Sequence, residues 1–187
     1  MRIVLLAHGA TSELRAAAFP GDTGLDEGGR RSATARSAPR SDRVISAAAR
    51  RCRQTAEAMG LPHDVDDALD GPDHGTWTGR TLDDVATTDP DGLTAWLTDP
   101  DACPHGGETL SAVVARVGAW LDARTDPPHA VLAVVDPAVV RAAVVHALGA
   151  PAISVFRVDV APLSLTTLSG APGRWNLGAM ERASGAP

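Results

Sequence analysis

Six consecutive residues, Ala130-Val131-Leu132-Ala133-Val134-Val135, carry no polar side chain and lead directly into Asp136-Pro137. A half-exposed strand alternates apolar with polar, whereas a run that is apolar at every position suits a strand buried on both faces. A sheet covered on both faces needs helices on each side, so this stretch narrows the chain to a layered α/β architecture. The next segment agrees: Pro137 suits the first turn of a helix over Pro137 to Leu148, and Gly149 ends it.

The rest of the chain alternates in the same way. Ile3 to Leu6 reads as a short buried strand, Arg43 to Ile45 as a second, and Val65 as a brief third. Asp26 can cap a helix over Glu27 to Ala38, and Arg50 to Met59 reads as a helix ended by Gly60 and Pro62. Short helices are expected at Leu82 to Ala86 and Leu93 to Leu97. Gly107-Glu108-Thr109 opens a long amphipathic helix whose stripe is Leu110, Val113, Val114, Val117 and Leu121. Ile153 to Val158, Ser164 to Leu168 and Arg174 to Leu177 look like late strands, with loops at Arg15 to Asp26 and Asp70 to Gly79. The predicted fold is a three-layer α-β-α sandwich on a mostly parallel sheet. Residues 1–178 form a single domain and 179–187 a flexible tail.

Composition removes several functions. A length of 187 residues suits one domain with a sizeable core. The formal net charge is -6, all 17 basic residues are Arg, and none form a run, which argues against a nucleic-acid partner. No apolar stretch approaches the ~18 residues of a membrane span. Met1-Arg2-Ile3-Val4 does not begin a secretory leader, and Cys52 and Cys103, without CxxC spacing, read as free thiols of a reduced compartment. The expectation is a cytoplasmic protein. The absence of Lys and Tyr points to a GC-rich, bacterial coding bias. A homodimer is allowed by the sequence but not specified by it.

In folds of this kind ligands bind beyond the carboxyl ends of the strands. Two strand ends place a polar residue there: Ala7-His8-Gly9 and Asp136-Pro137. For Asp136 the plain alternative is a helix cap. His74 and His105 lie in glycine-rich loops. No His, Cys or carboxylate spacing calls for a metal, and no cofactor motif is present.

Six segments together resemble the histidine phosphatase superfamily, with its phosphoglycerate-mutase-like fold. "LLAHGAT" (Leu5 to Thr11) is similar to that family's strand followed by Arg-His-Gly. "GLDEGGRRSA" (Gly24 to Ala33) resembles its Leu-Thr-x-x-Gly segment, and "SAAARRCRQTAEAMG" (Ser46 to Gly60) its Arg-x-x-Gln-Thr-Ala helix. "HGTWTGRTLDDV" (His74 to Val85), "GGETL" (Gly106 to Leu110) and "VLAVVDPAVVRAAVVHALGAP" (Val131 to Pro151) follow in the family's order. The resemblance implies a histidine that accepts a phosphoryl group, two arginines and a second histidine around the phosphate, and an acid for the leaving oxygen.

Carried over by position, that pocket is incomplete. His8 stands at the nucleophile and Arg51 at the second arginine. Ala7 stands at the first arginine, Asp136 at the second histidine, and Gly71 at the acid, with Asp70 and Asp73 close enough to replace it. A lost charge-assisted phosphate contact is worth roughly 1.5–3 kcal/mol. A carboxylate at ~4 Å from phosphate charge costs about 4 kcal/mol per unit charge at an effective dielectric near 20.

The expected enzyme is therefore repurposed. His8, Asp136 and Arg51 are its catalytic candidates, for acid–base chemistry (elimination, cyclisation, isomerisation or hydrolysis) on a small anionic or phosphorylated metabolite, in specialised metabolism. Asp136 would orient His8. Thr11, Asp73, His74 and His105 are the substrate-binding candidates. A specialised phosphomonoesterase using His8 and a non-catalytic binding protein are the alternatives. Arg141 reads as a structural anchor of helix to sheet, Arg50 and Arg53 as solvated, Glu108 as a helix-start partner, and Cys52 and the four tryptophans as core.

Overall fold

The computed structural model describes residues 1–124 and 130–182. Its centre is a six-stranded mixed sheet in the order β3-β2-β4-β1-β5-β6. The strands are β1 (Arg2–Ala7), β2 (Arg43–Ser46), β3 (Asp64–Val65), β4 (Ala130–Val135), β5 (Leu165–Ala171) and β6 (Arg174–Glu181). β1 to β4 are mutually parallel, and β5 and β6 add an antiparallel edge beside β1. Five of the six residues of β4 are buried, which answers its unbroken apolar sequence.

Seven helices flank the sheet among the described residues: α1 (Ser12–Arg15), α2 (Glu27–Ala35), α3 (Arg50–Ala58), α4 (Leu82–Thr88), α5 (Pro90–Thr98), α6 (Leu110–Asp122) and α7 (Pro137–Ala147). α2 packs on α3 and α3 on β4, while α6 packs on α7 and α7 on β1. Local chemistry sets their starts. Asp26 caps α2 by accepting from Gly29 N–H at 2.6 Å, and Thr109 caps α6 by accepting from Ala112 N–H at 3.1 Å. Gly29 has a second task. A Cβ there would lie 2.2 Å from the Ala10 carbonyl oxygen, so the glycine lets α2 close against the loop after His8.

Three expectations change. Ile153 to Val158 is not a strand but part of a 3-10 segment, Ala152–Arg157, packed on α6 and α7. The expected loop from Arg15 loses its first residue to α1, which Thr11 caps through Leu14 N–H at 3.1 Å. The expected tail loses its first residues to β6, whose hairpin with β5 runs to Glu181. Residues 183–187 and His129 lie outside the described residues.

Glu108 does not cap α6; it forms a two-pronged ion pair with Arg116, at 2.8 and 2.9 Å. Cys52 is fully buried, and both cysteines are free. Trp77, Trp120 and Trp175 are buried as expected. No helix among the described residues is long and apolar enough to cross a membrane.

Candidate active site

Adjacent strands carry the two residues at the strand tips. Ala7 of β1 is in register with Val135 of β4, and His8 N–H donates to the Val135 carbonyl at 3.0 Å, so His8 and Asp136 emerge side by side. Behind them Leu163 adopts a left-handed conformation (φ 59°), donating its N–H to the carbonyls of Ala7 and His8 at 3.1 and 3.3 Å. For a non-glycine residue that backbone costs about 1–2 kcal/mol, held here by burial of its side chain.

α3 supplies the third group. Thr55 Oγ1 accepts from Gly9 N–H at 3.0 Å and donates to the Arg51 carbonyl at 2.7 Å, which locks the histidine loop onto the helix one turn after Arg51. Gln54 Oε1 accepts from Leu25 N–H at 2.9 Å. Neither Gln54 nor Thr55 was singled out from sequence. Their signal was present in the spacing Arg51, Gln54, Thr55, which puts all three on one helix face.

Together these residues build a closed polar floor. His8 Nδ1 lies 2.7 Å from the Gly9 carbonyl; a carbonyl only accepts, so Nδ1 is the donor. His8 Nε2 lies 3.4 Å from Asp136 Oδ2. The same oxygen accepts from Arg51 Nε at 3.1 Å and Nη2 at 2.9 Å, while Arg51 Nη1 donates to the Gly21 carbonyl at 2.5 Å. Asp136 Oδ1 accepts from Ala138 N–H at 2.8 Å. Asp136 is thus both helix cap and site residue. Burial works against its charge, but the bond and charge of His8, the Arg51 guanidinium and the Ala138 N–H outweigh it and hold the carboxyl well below the ordinary range. Burial opposes the Arg51 charge too, and Asp136 more than restores it.

Above the floor opens a cavity of about 250 Å³. His8, Thr11, Arg51, His74, Asp136 and Arg141 are its principal polar lining, and the remaining wall is largely apolar, with Phe19, Trp96 and Phe156 prominent. His74 is buried; desolvation, helped by neighbouring His105, pushes it down to about 4. Burial lowers His105 as well. His105 Nδ1 accepts from Gly107 N–H at 3.1 Å, so its proton sits on Nε2. His105 Nε2 and His74 Nδ1 are buried with no hydrogen-bond partner among the described residues.

The cavity gathers His8, Arg51, Asp136, Thr11 and His74. His105 stands one layer back, its ring 5.8 Å from His74 and 5.1 Å from Trp77, and Asp73 lies outside the lining, exposed and accepting from Gly75 N–H at 2.8 Å. Neither candidate replacement acid reaches the floor: Asp70 Oδ1 is taken by Ala49 N–H at 3.1 Å, and Asp73 by its turn. A Cβ on Gly71 would meet Arg51 Nη2 and Asp136 Cγ at 3.2 Å, so the floor leaves little room for an acid at that position. Ala7 is fully buried and lines no part of the cavity. Arg141 does anchor its helix, through Nε to the Val158 carbonyl at 3.0 Å, but it also lines the cavity. Trp96 is a wall residue rather than core. No group of three or more potential metal ligands occurs among the described residues.

Comparison with known proteins agrees with this architecture. A bifunctional protein of Mycobacterium tuberculosis is 36% identical over 127 residues, 62% of this chain and 35% of its own length. A glucosyl-3-phosphoglycerate phosphatase of the same species is 34% identical over 125 residues, 62% of this chain and 56% of its own length. The matched region thus spans between about a third and just over half of these curated relatives. Among solved structures, a mycobacterial glucosyl-3-phosphoglycerate phosphatase complexed with VO3 superposes with a TM-score of 0.82 at 28% identity, covering 97% of this chain and 99% of that one. A putative alpha-ribazole-5'-P phosphatase from Escherichia coli shares the fold, with a TM-score of 0.85 at 22% identity, covering 97% of this chain and 96% of that one. Residues 3–182 match the family as a whole, and the chain belongs to the histidine phosphatase superfamily (branch 1).

Proposed function

We propose that this chain uses the histidine phosphatase fold for proton transfer on a small anionic metabolite of the cytoplasm, with His8 as the proton-carrying group, Asp136 as its orienter and Arg51 fixing Asp136. One observation carries the reading: a single carboxylate oxygen of Asp136 sits 3.4 Å from His8 Nε2 and 2.9 Å from Arg51 Nη2. With Nδ1 donating to Gly9, Nε2 is either a bare lone pair or protonated. A lone pair and a carboxylate are both acceptors, so the 3.4 Å approach is attractive only with a proton on Nε2, and the proposed role takes that protonated form as the working one. A nitrogen so protonated has no lone pair with which to attack phosphorus. It can give its proton to a substrate and take one back. Arg51, already neutralised by Asp136, has little net attraction left for a phosphate dianion.

A second reading, a specialised phosphomonoesterase, is favoured by the Nδ1 contact to Gly9, which leaves Nε2 as the nitrogen facing the cavity, and by similarity to a glucosyl-3-phosphoglycerate phosphatase. The deciding experiment compares wild type with His8→Ala on p-nitrophenyl phosphate and on a small-molecule extract followed by mass spectrometry. The expected result is no phosphate release above background, no acid-labile phosphohistidine, and a metabolite consumed by wild type but not by His8→Ala. Phosphate release that disappears in His8→Ala would establish the second reading and overturn the first.

A further inference from the structure

We propose that Arg141 is the anion anchor of the cavity and that the ligand is an amphipathic monoanion, an apolar body carrying one carboxylate-like group. The inference deepens the proton-transfer reading and rests on it for the chemistry, though not for the binding.

The charges lining the cavity are few. Arg51 and Asp136 are permanently charged and bonded to each other, and three of the five Arg51 N–H donors are taken, by Asp136 and by Gly21. Arg141 is the remaining permanently charged residue of the lining. Its one hydrogen bond among the described residues uses Nε, and no carboxylate lies within ion-pair distance. The two terminal nitrogens, the pair that grips a carboxylate in a fork, are left for a ligand.

Helix geometry explains why Arg141 faces inward. Pro137, Ala138 and Arg141 fall at i, i+1 and i+4 on α7 and line the cavity, while Val139, Val140, Ala142, Ala143 and Val144 turn into the core. Ala138 keeps the first turn of that face low, so the helix offers a clear path from Arg141 toward Asp136.

The wall describes the rest of the ligand. Phe19, Trp96 and Phe156 form a chain of edge-to-face contacts, with ring centroids 5.6 and 4.8 Å apart. Leu14, Leu82 and Phe156 are exposed apolar residues that line the cavity at its solvent side. Exposed large apolar side chains gathered round a concavity mark a surface that apolar matter covers. A polyhydroxylated sugar phosphate would leave its hydroxyls facing hydrocarbon. His74, 8% exposed, lines this wall, its Nδ1 turned away from the opening and unpartnered among the described residues.

The test measures binding by calorimetry, with 4-phenylbutyrate, its neutral amide and phenyl phosphate as probes, on wild type, Arg141→Gln, Arg141→Lys and His8→Ala. Wild type should bind the carboxylate at least tenfold tighter than the amide. Arg141→Gln should erase that preference, and Arg141→Lys should keep part of it. Turnover of the extract metabolite, read separately in His8→Ala, tests the proton-transfer reading, so failure of the anchor and failure of that reading are separable. Equal affinity of wild type for carboxylate and amide would overturn the proposal without any variant. So would tighter binding of phenyl phosphate that Arg141→Gln leaves unchanged.

Discussion

The floor and the wall of the cavity solve opposite problems. On the floor every charge meets its complement: Asp136 accepts from Arg51 and Ala138 and faces His8, and Arg51 spends its remaining nitrogen on Gly21. On the wall, His74 Nδ1, and behind it His105 Nε2, are buried with nothing to bond. A satisfied polar cluster fixes one geometry, whereas an unsatisfied one waits for a partner. The strand tips thus carry the satisfied groups, and the segment between β3 and α6, which also holds α4 and α5, carries the unsatisfied ones.

Removing Asp136 should break the contrast most severely. Asp136→Ala leaves Arg51 as a buried, unpaired cation and takes the cap from α7. Losing one partner of such a pair costs about 3–5 kcal/mol, and urea unfolding should show a loss of that size. Asp136→Asn, which retains capping, should lose less. A loss below about 1 kcal/mol for the alanine variant would mean that the floor is not the fixed half of the site.

Acid separates the two regions next. His74 sits near 4 in the folded chain against about 6.5 unfolded, so the unfolded state binds the extra proton between those values. Its contribution is therefore complete above about 6.5 and declines as pH falls toward 4. Between pH 7 and pH 5 this amounts to about 2 kcal/mol, which His74→Phe should remove from the pH dependence of the unfolding free energy. Asp136, held low in the folded state, contributes fully above about 3.9 and loses stability only below that. An unchanged slope in His74→Phe would dissociate the wall from the acid response.

The gentlest probe crowds the floor. Gly71→Ala would push a methyl against Arg51 and Asp136 at 3.2 Å. Overpacking is partly offset by the lower entropy of the unfolded chain, and the net cost should be about 1 kcal/mol in the same unfolding assay.

Much of the floor could be read from the chain itself. The apolar run of β4 ends where the structure ends it, and the two strand tips bring His8 and Asp136 together, while Arg51 is marked among three nearby arginines by the family resemblance alone. The wall was far less legible. Ile153 and Val155 are two apart, as in a strand, yet the segment is a 3-10 turn, because packing on α6 and α7 decides a run so short. Phe156 and Trp96 carry no periodic signal for the cavity they line. Arg141 reads as an anchor of helix to sheet, whereas it ties α7 to the Val158 carbonyl at the end of the 3-10 segment, and nothing in its spacing marks it as cavity lining. Asp73 stood near the site in sequence, but its turn holds it outside.

One feature of the sheet reaches beyond the site. β1 lies near the middle of the sheet, and its neighbours β4 and β5 begin more than a hundred residues after it, at residues 130 and 165. Translation proceeds at roughly 5–20 residues per second, so the strand bearing His8 spends on the order of ten seconds as an apolar segment without its flanking strands. Closing those distant contacts is the slow part of assembly in such topologies. The strand bearing His8 is thus made well before the two strands that hold it, and His8 can reach its place beside Asp136 only after β4 has emerged.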